Sequence, residues 1–385
     1  MNHYDCLLIG GGFTGSALGY ELARQGLRVL LLEKDPVPHN ATRFSYGGLA
    51  YWSGSDPTSK QICQEGIEIH RQLSDELGYD TQFREIDLLL TVNPEDDPFS
   101  IAQNYQKFAI APEILSVQEA CSVEPLLNPE AIGGALKLSH AHIHPQKTNQ
   151  AYQKAFQRLG GEIHFEPVVQ ILQENQRVLG AITPQQSYQA AHTIVCAGAL
   201  TRQLLRGAGI NIPQYFTYAQ LVLTPPILEQ QLNTLIMSAV PRRLLMERAV
   251  ITNEEEESWN NPTPELIASA FEAGAVQFQD KSFCLGQISQ IIRDPNLQLA
   301  AAAAESQIRQ GVGKILPALK DLPGLLYQCL VAFAHPERPL VGPVADIPGL
   351  YLFSGFTSTL IFAPPLARRL AQELKSGKRG KNIVL

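Results

Sequence analysis

The glycine-rich stretch near the start of the chain constrains the fold more than any other part of the sequence. It reads CLLIGGGFTGSALGYELARQGLRVLLLEKD and runs from Cys6 to Asp35. A short apolar run, a glycine turn, an amphipathic segment and a second apolar run follow one another. This order predicts strand, tight turn, helix and strand, and the apolar strands are typical of a parallel sheet covered on both faces. With 385 residues, 45% of them hydrophobic, the chain can bury a large core in two or three domains.

The glycines in this turn form a G-x-G-x-x-G pattern at Gly10, Gly12 and Gly15. The first glycine permits the tight turn, the second lets the backbone approach a pyrophosphate, and the third lets the helix pack closely on the strand. Glu33 ends the next strand, where a carboxylate accepts hydrogen bonds from ribose hydroxyls. Because Glu33 would repel a 2′-phosphate, the pattern favours FAD or NAD over NADP. The position of the turn at the start of a long chain favours FAD.

Composition narrows the class of protein further. The net charge of −7 argues against a nucleic-acid partner, and the one dense basic run, residues 375–382, is interpreted as a solvated terminus. No apolar run is long enough for a transmembrane helix, and no signal peptide precedes the first strand. The six cysteines form no CxxC pair, so we expect no metal site and a reducing, cytoplasmic location. The partner is expected to be a small molecule, and the oligomeric state stays open.

The rest of the chain predicts an α/β (α+β two-domain) fold, in which a Rossmann-like FAD-binding domain is interleaved with an antiparallel β-rich substrate domain. The FAD-binding domain is predicted at residues 1–50, 140–210 and 325–385, and the substrate domain at 51–139 and 211–324. Helices are predicted at residues 61–76, 117–122, 146–159 and 294–310. Residues 244–252 are predicted to form a strand and residues 253–262 an exposed loop. Pro364 and Pro365 suit the first turn of a final helix, where a missing N–H costs little.

Several motifs together resemble the D-amino-acid oxidase superfamily of FAD-dependent oxidoreductases, and in particular its glycine oxidase and monomeric sarcosine oxidase branch. Besides the first motif these are ATRFSYGGLAYW, HIHPQKTNQAYQKAFQRLGGEIHFEPVVQI, TIVCAGALTRQLL and RPLVGPVADIPGLYLFSGF. The resemblance implies FAD as cofactor. Together with the glycine pattern it predicts these cofactor-binding residues: Gly10, Gly12, Phe13, Thr14, Gly15, Glu33, Lys34, Thr42, Arg43, Gly47, Gly48, Val168, Ala197, Gly198, Gly355, Thr357, Ser358, Thr359 and Leu360.

The chain departs from this family at positions that matter for the substrate. The positions where the family carries a basic residue for a substrate carboxylate hold Val331 and Phe362, and GFTSTLIFAPP replaces the usual glycines after the last strand. Cys329 stands where sarcosine oxidases attach FAD covalently. We interpret it as a small buried residue, because free cysteine is commonly buried.

The resemblance implies hydride transfer from a C–H next to nitrogen to flavin N5, followed by imine hydrolysis and reoxidation by dioxygen. The backbone at Thr357–Leu360 is expected to stabilise negative charge at the flavin N1–C2=O end. Tyr51 and Trp52 are predicted to wall the substrate face, with a core role as the alternative. The candidate cations for a carboxylate are Arg338, Arg43, Arg242 and Arg243, of which Arg338 near His335 is preferred.

Two other functions fit the same motifs. One is an FAD dehydrogenase of a hydroxy acid or amine that uses a quinone or protein acceptor. The other is a flavin-binding protein without turnover that acts as an assembly subunit. The absence of the usual carboxylate-binding residues favours the flavin-binding protein without turnover more than chance would.

Overall fold

The computed structural model describes residues 4–297, 299–335 and 339–377, which form two β-sheets with helices packed against them. In chain order the strands are β1 (Tyr4–Ile9), β2 (Val29–Glu33), β3 (Gly48–Leu49), β4 (Arg84–Val92), β5 (Glu113–Leu115), β6 (Gly134–His142), β7 (Glu162–Phe165), β8 (Gln170–Glu174), β9 (Arg177–Ile182), β10 (Ser187–Val195), β11 (Tyr215–Leu223), β12 (Leu235–Ser238), β13 (Leu266–Gln277), β14 (Phe283–Ile292), β15 (Leu325–Phe333), β16 (Leu340–Pro343) and β17 (Leu350–Ser354). The helices are α1 (Phe13–Arg24), α2 (Pro57–Leu77), α3 (Pro98–Gln103), α4 (Val117–Val123), α5 (Pro145–Arg158), α6 (Thr201–Arg206), α7 (Arg242–Ala249), α8 (Asn253–Asn260), α9 (Ala301–Ile315) and α10 (Thr359–Ser376). Within the described part of the chain, none of these helices combines the length and apolarity that crossing a bilayer requires.

The first sheet has the strand order β16-β17-β10-β1-β2-β7. Strand β1 lies between β2 and β10, and both pairings are parallel; only β16 runs antiparallel within this order. Strands β8 and β9 form an antiparallel extension of β10. Because parallel strands present their carboxyl ends at one edge, the residues after β1, β2 and β10 meet there.

Both faces of this sheet are covered. Helices α1, α2, α5 and α10 bury one face in a cluster that includes Leu8, Ile67, Tyr152 and Leu366. The β8–β9 hairpin and α6 bury the other face, where Leu30, Ile171 and Leu205 pack together. This double coverage explains why β1 and β2 read as almost unbroken apolar runs.

The second sheet is largely antiparallel and has the order β15-β11-β14-β13-β12-β4-β6-β3, with β5 beside β6. Helices α9 and α4 pack on one face. The opposite face contributes Ala219 and Cys329 to a cluster that also contains Phe44 and Trp52, which come from the loop after β2 and the segment after β3. That face therefore lies against a chain segment that leaves the first sheet.

The combination of a Rossmann-like sheet and an antiparallel β-rich part confirms the predicted fold class. The division of the chain at the residue numbers given above stays a prediction. Strand β15 begins at the predicted boundary but pairs within the second sheet, where it lies beside β11.

The predicted strand at 244–252 and exposed loop at 253–262 are wrong, because the chain forms α7 and α8 there. Every residue of RRLLMERA in α7 tolerates a helix well, and its buried Glu247 accepts a hydrogen bond from Thr217. Helix α8 has Thr252 as its N-cap, and its Trp259 packs against the rings of Tyr215 and Phe216. A buried tryptophan thus anchors an acidic segment whose composition alone is typical of a loop.

The predicted helix at 294–310 begins later than expected. Pro295 lies in a turn in which Leu297 N–H donates to the Asp294 carbonyl, and α9 starts only at Ala301 and extends to Ile315. A proline turn with an aspartate at its first position competes with helix formation, so the alanine run opens the helix instead of filling its middle.

The two prolines of α10 lie inside the helix, so the prediction that they occupy its first turn is wrong. A proline has no N–H for the carbonyl four residues earlier, so Pro364 leaves the Leu360 carbonyl without its helical donor. His70 of α2 replaces that donor: its Nε2 lies 2.7 Å from the Leu360 oxygen. Gly66 lets α2 approach at the neighbouring carbonyl, since a Cβ there would lie 2.2 Å from the Ile361 oxygen.

Candidate cofactor and substrate site

The glycine turn between β1 and α1 has the geometry that its sequence predicts. Gly10 has a φ of +107°, and a Cβ there would lie 2.6 Å from the Cys196 carbonyl oxygen. A Cβ at Gly15 would lie 1.9 Å from the Gly10 oxygen. A Cβ at Gly12 would meet only Thr42 Oγ1, at 3.3 Å, and Asn40 Nδ2, at 3.8 Å. The first and third glycines are therefore required by packing, whereas the second leaves an approach to the backbone open.

Glu33 is buried directly beside this turn. Its Oε2 accepts the Gly11 N–H at 2.6 Å and its Oε1 accepts the Asp35 N–H at 3.0 Å. The turn is held from the other side by α5, where the amides of Asn149 and Gln153 donate to the Gly11 carbonyl at 3.1 and 2.9 Å. The turn is thus fixed by hydrogen bonds before any ligand binds.

These features fit a dinucleotide. Gly12 is the N-cap of α1 and brings no capping side chain, so the helix N-terminus keeps N–H groups for an anion. Thr42 Oγ1 accepts the Phe13 N–H at 3.0 Å, which holds the loop after β2 against this terminus. The Phe13 side chain is buried against His70 and Tyr152, so only its backbone faces the turn. Thr14 is half-buried, and Lys34 is exposed beside Asp35.

The predicted flavin loop contains two glycines, Gly47 and Gly48, at which neighbouring atoms leave no room for a Cβ. Gly47 has a φ of +79°, and a Cβ there would lie 2.2 Å from the Ile143 oxygen. A Cβ at Gly48 would lie 2.7 Å from His140 Nε2. Arg43 packs its guanidinium over the Phe44 ring, 5.4 Å from its centroid.

The remaining predicted cofactor residues lie at the same edge of the first sheet or beside it. Ala197 and Gly198 follow β10, and Gly198 has a φ of +53° with open space around its Cβ position. Val168 precedes β8 and packs against the cluster below that hairpin. Gly355 follows β17 with a φ of +75°, and a Cβ there would lie 2.8 Å from Ala334 Cβ. Thr357, Ser358, Thr359 and Leu360 lead into α10, whose N-cap Ser358 makes no side-chain capping bond.

The residues predicted to wall the substrate face pack against different clusters: Tyr51 against the helices that cover the first sheet, and Trp52 in the cluster on the second sheet. Trp52 is buried, donates its Nε1–H to His140 Nδ1 at 3.0 Å, and packs against Tyr105 and Phe108. Tyr51 is half-buried, and its pKa is raised by burial and by the nearby carboxylate of Glu85. Arg338 lies outside the described residues. A substrate role for these three stays a prediction.

Val331 and Phe362, at the two positions where the family carries a basic residue, lie in largely apolar surroundings. Val331 lies on β15 opposite Thr217 of β11, and Phe362 is buried among the helices that cover the first sheet. Cys329 is buried opposite Ala219, and burial raises the pKa of its thiol to about 12. Such a thiol stays protonated at neutral pH, in line with a packing role.

A polar cluster that the motifs do not reveal lies beside the second sheet. Arg243 of α7 is half-buried with 23% of its side chain exposed, and its Nε lies 3.8 Å from Glu247 Oε1. Burial raises the pKa of Glu272, while the charge of Arg243 and the N–H groups at the start of α7 lower it. The Tyr46 hydroxyl is buried, has no hydrogen-bond partner among the described residues, and has its pKa raised by burial near Glu272. Arg242, the neighbouring candidate cation, is exposed.

The sequence did not predict this cluster or the hydrogen bonds from Asn149 and Gln153 of α5 to the glycine turn, because the residues involved come from distant elements. Tyr46, Glu272 and Arg243 belong to the loop after β2, to β13 and to α7. The one available signal was the pair Arg242–Arg243 in a segment wrongly assigned to a strand. Among the described residues, no group of histidine, cysteine, aspartate and glutamate side chains could hold a metal ion.

Three buried histidines lie around the predicted flavin loop and the start of α10, and they make the stability of the protein sensitive to acid. Burial lowers the pKa of His70 to about 4 and the pKa values of His140 and His142 to about 3. The unfolded chain, with histidine pKa values near 6.5, binds more protons below neutral pH than the folded chain. The contribution of these neutral rings to the free energy of unfolding is therefore fully present above about pH 6.5. It is lost as the pH drops towards the histidine pKa values of the folded chain.

We expect about 2 kcal/mol to be lost for each of these rings between pH 7 and pH 5. Urea unfolding followed at a series of pH values measures this loss. In the unchanged protein His142 Nε2 lies 2.9 Å from the Tyr46 carbonyl oxygen, and the amide of His142→Gln can donate to the same carbonyl. This variant should remove about a third of the pH dependence, because one of the three titrating rings is gone. An unfolding free energy that stays constant from pH 7 to pH 5 would contradict neutral, buried rings.

Comparison with known proteins agrees with this geometry. The model of the DAO family, described as FAD dependent oxidoreductase, matches residues 5–373. The 4-methylaminobutanoate oxidase (formaldehyde-forming) of Paenarthrobacter nicotinovorans is 23% identical over 98% of this chain and 44% of its own length. The peroxisomal sarcosine oxidase of Homo sapiens is 29% identical over 54% of this chain and 54% of its own length, so these matches span only about half of each relative. The crystal structure of glycine oxidase from Geobacillus kaustophilus shares the fold with a TM-score of 0.79 at 17% identity, covering 99% of this chain and 97% of that one.

Proposed function

The chain belongs to the DAO family of FAD dependent oxidoreductases, and we propose that it oxidises a carbon–nitrogen bond of a small amine or amino acid with dioxygen as the final acceptor. The observation that carries the proposal is the glycine turn at Gly10–Gly15, with Glu33 buried beside it and the family match extending over both sheets. FAD, when bound, supplies the hydride acceptor; the chain supplies position and electrostatics.

We assign the adenosine half of FAD to the edge formed by the ends of β1, β2 and β10. The carboxylate of Glu33 is placed to accept ribose hydroxyls, since its burial beside Gly11 keeps it at the sheet edge. The N–H groups at the start of α1 would hold the pyrophosphate, with the Thr42 side chain fixing the adjacent loop. Gly47, Gly48 and the start of α10 are the residues that would hold the flavin half.

The start of α10 would stabilise negative charge at the flavin. Its first N–H groups meet no capping side chain at Ser358, and the helix dipole favours an anion there. His70 fixes this turn by its hydrogen bond to the Leu360 carbonyl and stays neutral at physiological pH, because burial lowers its pKa to about 4.

Arg243 is the group we assign to a substrate carboxylate. Its charge reaches the buried thiol of Cys329, whose pKa is raised by burial and lowered to a smaller extent by this guanidinium. Neither of its Nη atoms donates to another side chain in the described ranges, so both are available for bidentate capture. Glu247, which already accepts from Thr217, holds the guanidinium at its Nε side.

The test is an anaerobic screen of the yellow, FAD-loaded protein. Amino acids, N-methyl amino acids and simple amines are added, and bleaching of the flavin absorbance is recorded; air is then admitted and peroxide is measured. Bleaching by an amine followed by stoichiometric peroxide supports the proposal. Bleaching by hydroxy acids, or reoxidation only by a quinone or dye, would support a dehydrogenase. Reduction by dithionite alone would support a flavin-binding protein without turnover.

A further inference from the structure

Strand β15 lies at one end of the second sheet and has a neighbour on one side only. It pairs with β11 over its whole length, from Leu325 opposite Leu223 to Phe333 opposite Tyr215, and no other described strand lies beside it. In an antiparallel pair, every second residue turns its N–H and C=O away from the partner strand. These outward groups of β15 make no hydrogen bond within the described part of the chain. The strand therefore presents an open row of backbone donors and acceptors.

This open edge lacks the features that usually protect the end of a sheet. Its sequence, LLYQCLVAF, contains neither a charged residue nor a proline, and it is nine residues long. Natural edge strands are commonly short or carry a charge or a proline, because a long apolar edge pairs with other chains. The other strands at the described sheet ends follow that rule: β3 has two residues, β5, β7 and β8 contain Glu113, Glu162 and Glu174, and β16 contains Pro343. Strand β15 is the exception, so we expect another chain to cover it.

An apolar surface continues from the first residue of this strand. Leu325 has 66% of its area exposed. Beside it lies an open hollow of about 450 Å³, whose lining consists of Leu223, Thr224, Pro225, Gly324, Leu325 and Tyr327. The ring of Tyr327 stacks on Phe44, with 4.9 Å between the ring centroids, so this wall of the hollow is held in place. An exposed apolar side chain beside a preformed hollow is typical of a surface that packs against another chain.

The features of this edge favour a second copy of the same chain as the partner. When two β15 edges pair antiparallel about a twofold axis, each strand covers the other and neither edge stays open. Pairing of β15 with a different edge would leave β15 of the second molecule open, so that further chains could add to it. The uncharged sequence permits self-pairing, because no like charges come to lie opposite each other. A second copy is also present at the concentration of the chain itself.

We propose that two copies of this chain form a dimer in which their β15 strands pair antiparallel about a twofold axis near Cys329, the middle residue of the strand. Leu325 then lies opposite Phe333 of the partner subunit, and the partner's chain passes over the hollow beside Tyr327. Nine residues at about 3.4 Å each give a contact about 30 Å long, at the small end of specific interfaces, so we expect a micromolar Kd. The dimer does not depend on the proposed oxidase activity.

Gln328 allows a direct test, because it adjoins the proposed axis and its side chain alternates with those of Tyr327 and Cys329 along the strand. Sedimentation of the FAD-loaded chain is measured from about 1 to about 100 µM, where we expect the unchanged protein to pass from monomer to dimer. Gln328→Lys and Gln328→Glu should each dimerise about tenfold more weakly or worse, because two like charges meet beside the axis. An equimolar mixture of the two variants should dimerise at least as well as the unchanged protein, because opposite charges then meet there.

Matched variants separate this edge from a general effect of charge. Gln170→Lys places the same lysine at an exposed position of the end strand β8 and should dimerise as the unchanged protein does. Leu325→Lys serves if the Gln328 variants do not fold, since Leu325 is already exposed, and should dimerise about tenfold more weakly. A monomer at every concentration of the unchanged protein would overturn the proposal, as would a dimer of equal strength in folded Gln328→Lys or Leu325→Lys.

Discussion

Gly15→Ala is expected to yield a protein that retains no FAD. The added Cβ would lie 1.9 Å from the Gly10 carbonyl oxygen, whereas an ordinary contact begins near 3.4 Å, so the first turn of α1 must move away from β1. That movement separates the N–H groups of the helix from the Glu33 carboxylate, which now accepts the Gly11 N–H. The visible absorbance of FAD in the purified protein, relative to protein concentration, measures the effect.

Two other glycines provide controls for this substitution. Gly26→Ala places a Cβ in open space at a φ of +77°, so it should cost about 1–2 kcal/mol of stability and leave FAD bound. Gly12→Ala meets only Thr42 and Asn40 at ordinary or slightly short distances, so the protein should fold but bind FAD weakly. A Gly15→Ala protein that keeps FAD at the level of the unchanged protein would contradict the proposed position of the pyrophosphate.

Arg243→Gln is expected to lower kcat/KM about a hundredfold for substrates that carry a carboxylate, because the substrate anion loses a charged, bidentate partner worth about 3 kcal/mol. Amines without a carboxylate should change far less, since they make no such contact. The measurement compares the two substrate classes on the same preparations, with the flavin absorbance used to count active sites. Binding of a carboxylate that is not oxidised, followed by the flavin spectrum, gives the same comparison without turnover.

The neighbouring arginine is the matched control. Arg242 belongs to the same helix but is exposed, so Arg242→Gln should leave both substrate classes unaffected. Equal losses for both substrate classes in Arg243→Gln would mean that the residue supports the fold through Glu247 and Glu272. Unchanged kcat/KM for carboxylate substrates would transfer the assignment to another cation, such as Arg338.

The parts of the fold that depend on neighbouring residues in sequence were predictable. Gly10, Gly15 and Glu33 lie within one strand–helix–strand unit, and their spacing determines both the turn and the position of the acid. The α/β class followed from this unit and from similar apolar runs later in the chain. The family match then agreed with motifs spread over the whole sequence.

The parts that depend on tertiary contacts were not predictable. Composition made residues 253–262 a loop, but Trp259 packs between Tyr215 and Phe216, which lie more than forty positions earlier in the chain, and this burial stabilises α8. Pro364 in mid-helix becomes tolerable only because His70 donates to the carbonyl that the proline leaves free. Arg243 likewise acquires its surroundings from Glu272 and Cys329 on two other strands.

The most direct test of FAD binding is to identify what the purified protein binds at the glycine turn. The absorption spectrum is recorded, the protein is denatured, and the released small molecules are separated and quantified; where none is released, the protein is dialysed against FAD and NAD separately. We expect the unchanged protein to show a flavin spectrum and to contain one FAD for each chain, and we expect FAD to be lost in Gly15→Ala and retained in Gly26→Ala. A protein that binds NAD in preference, or that takes up neither dinucleotide while folded, would contradict it.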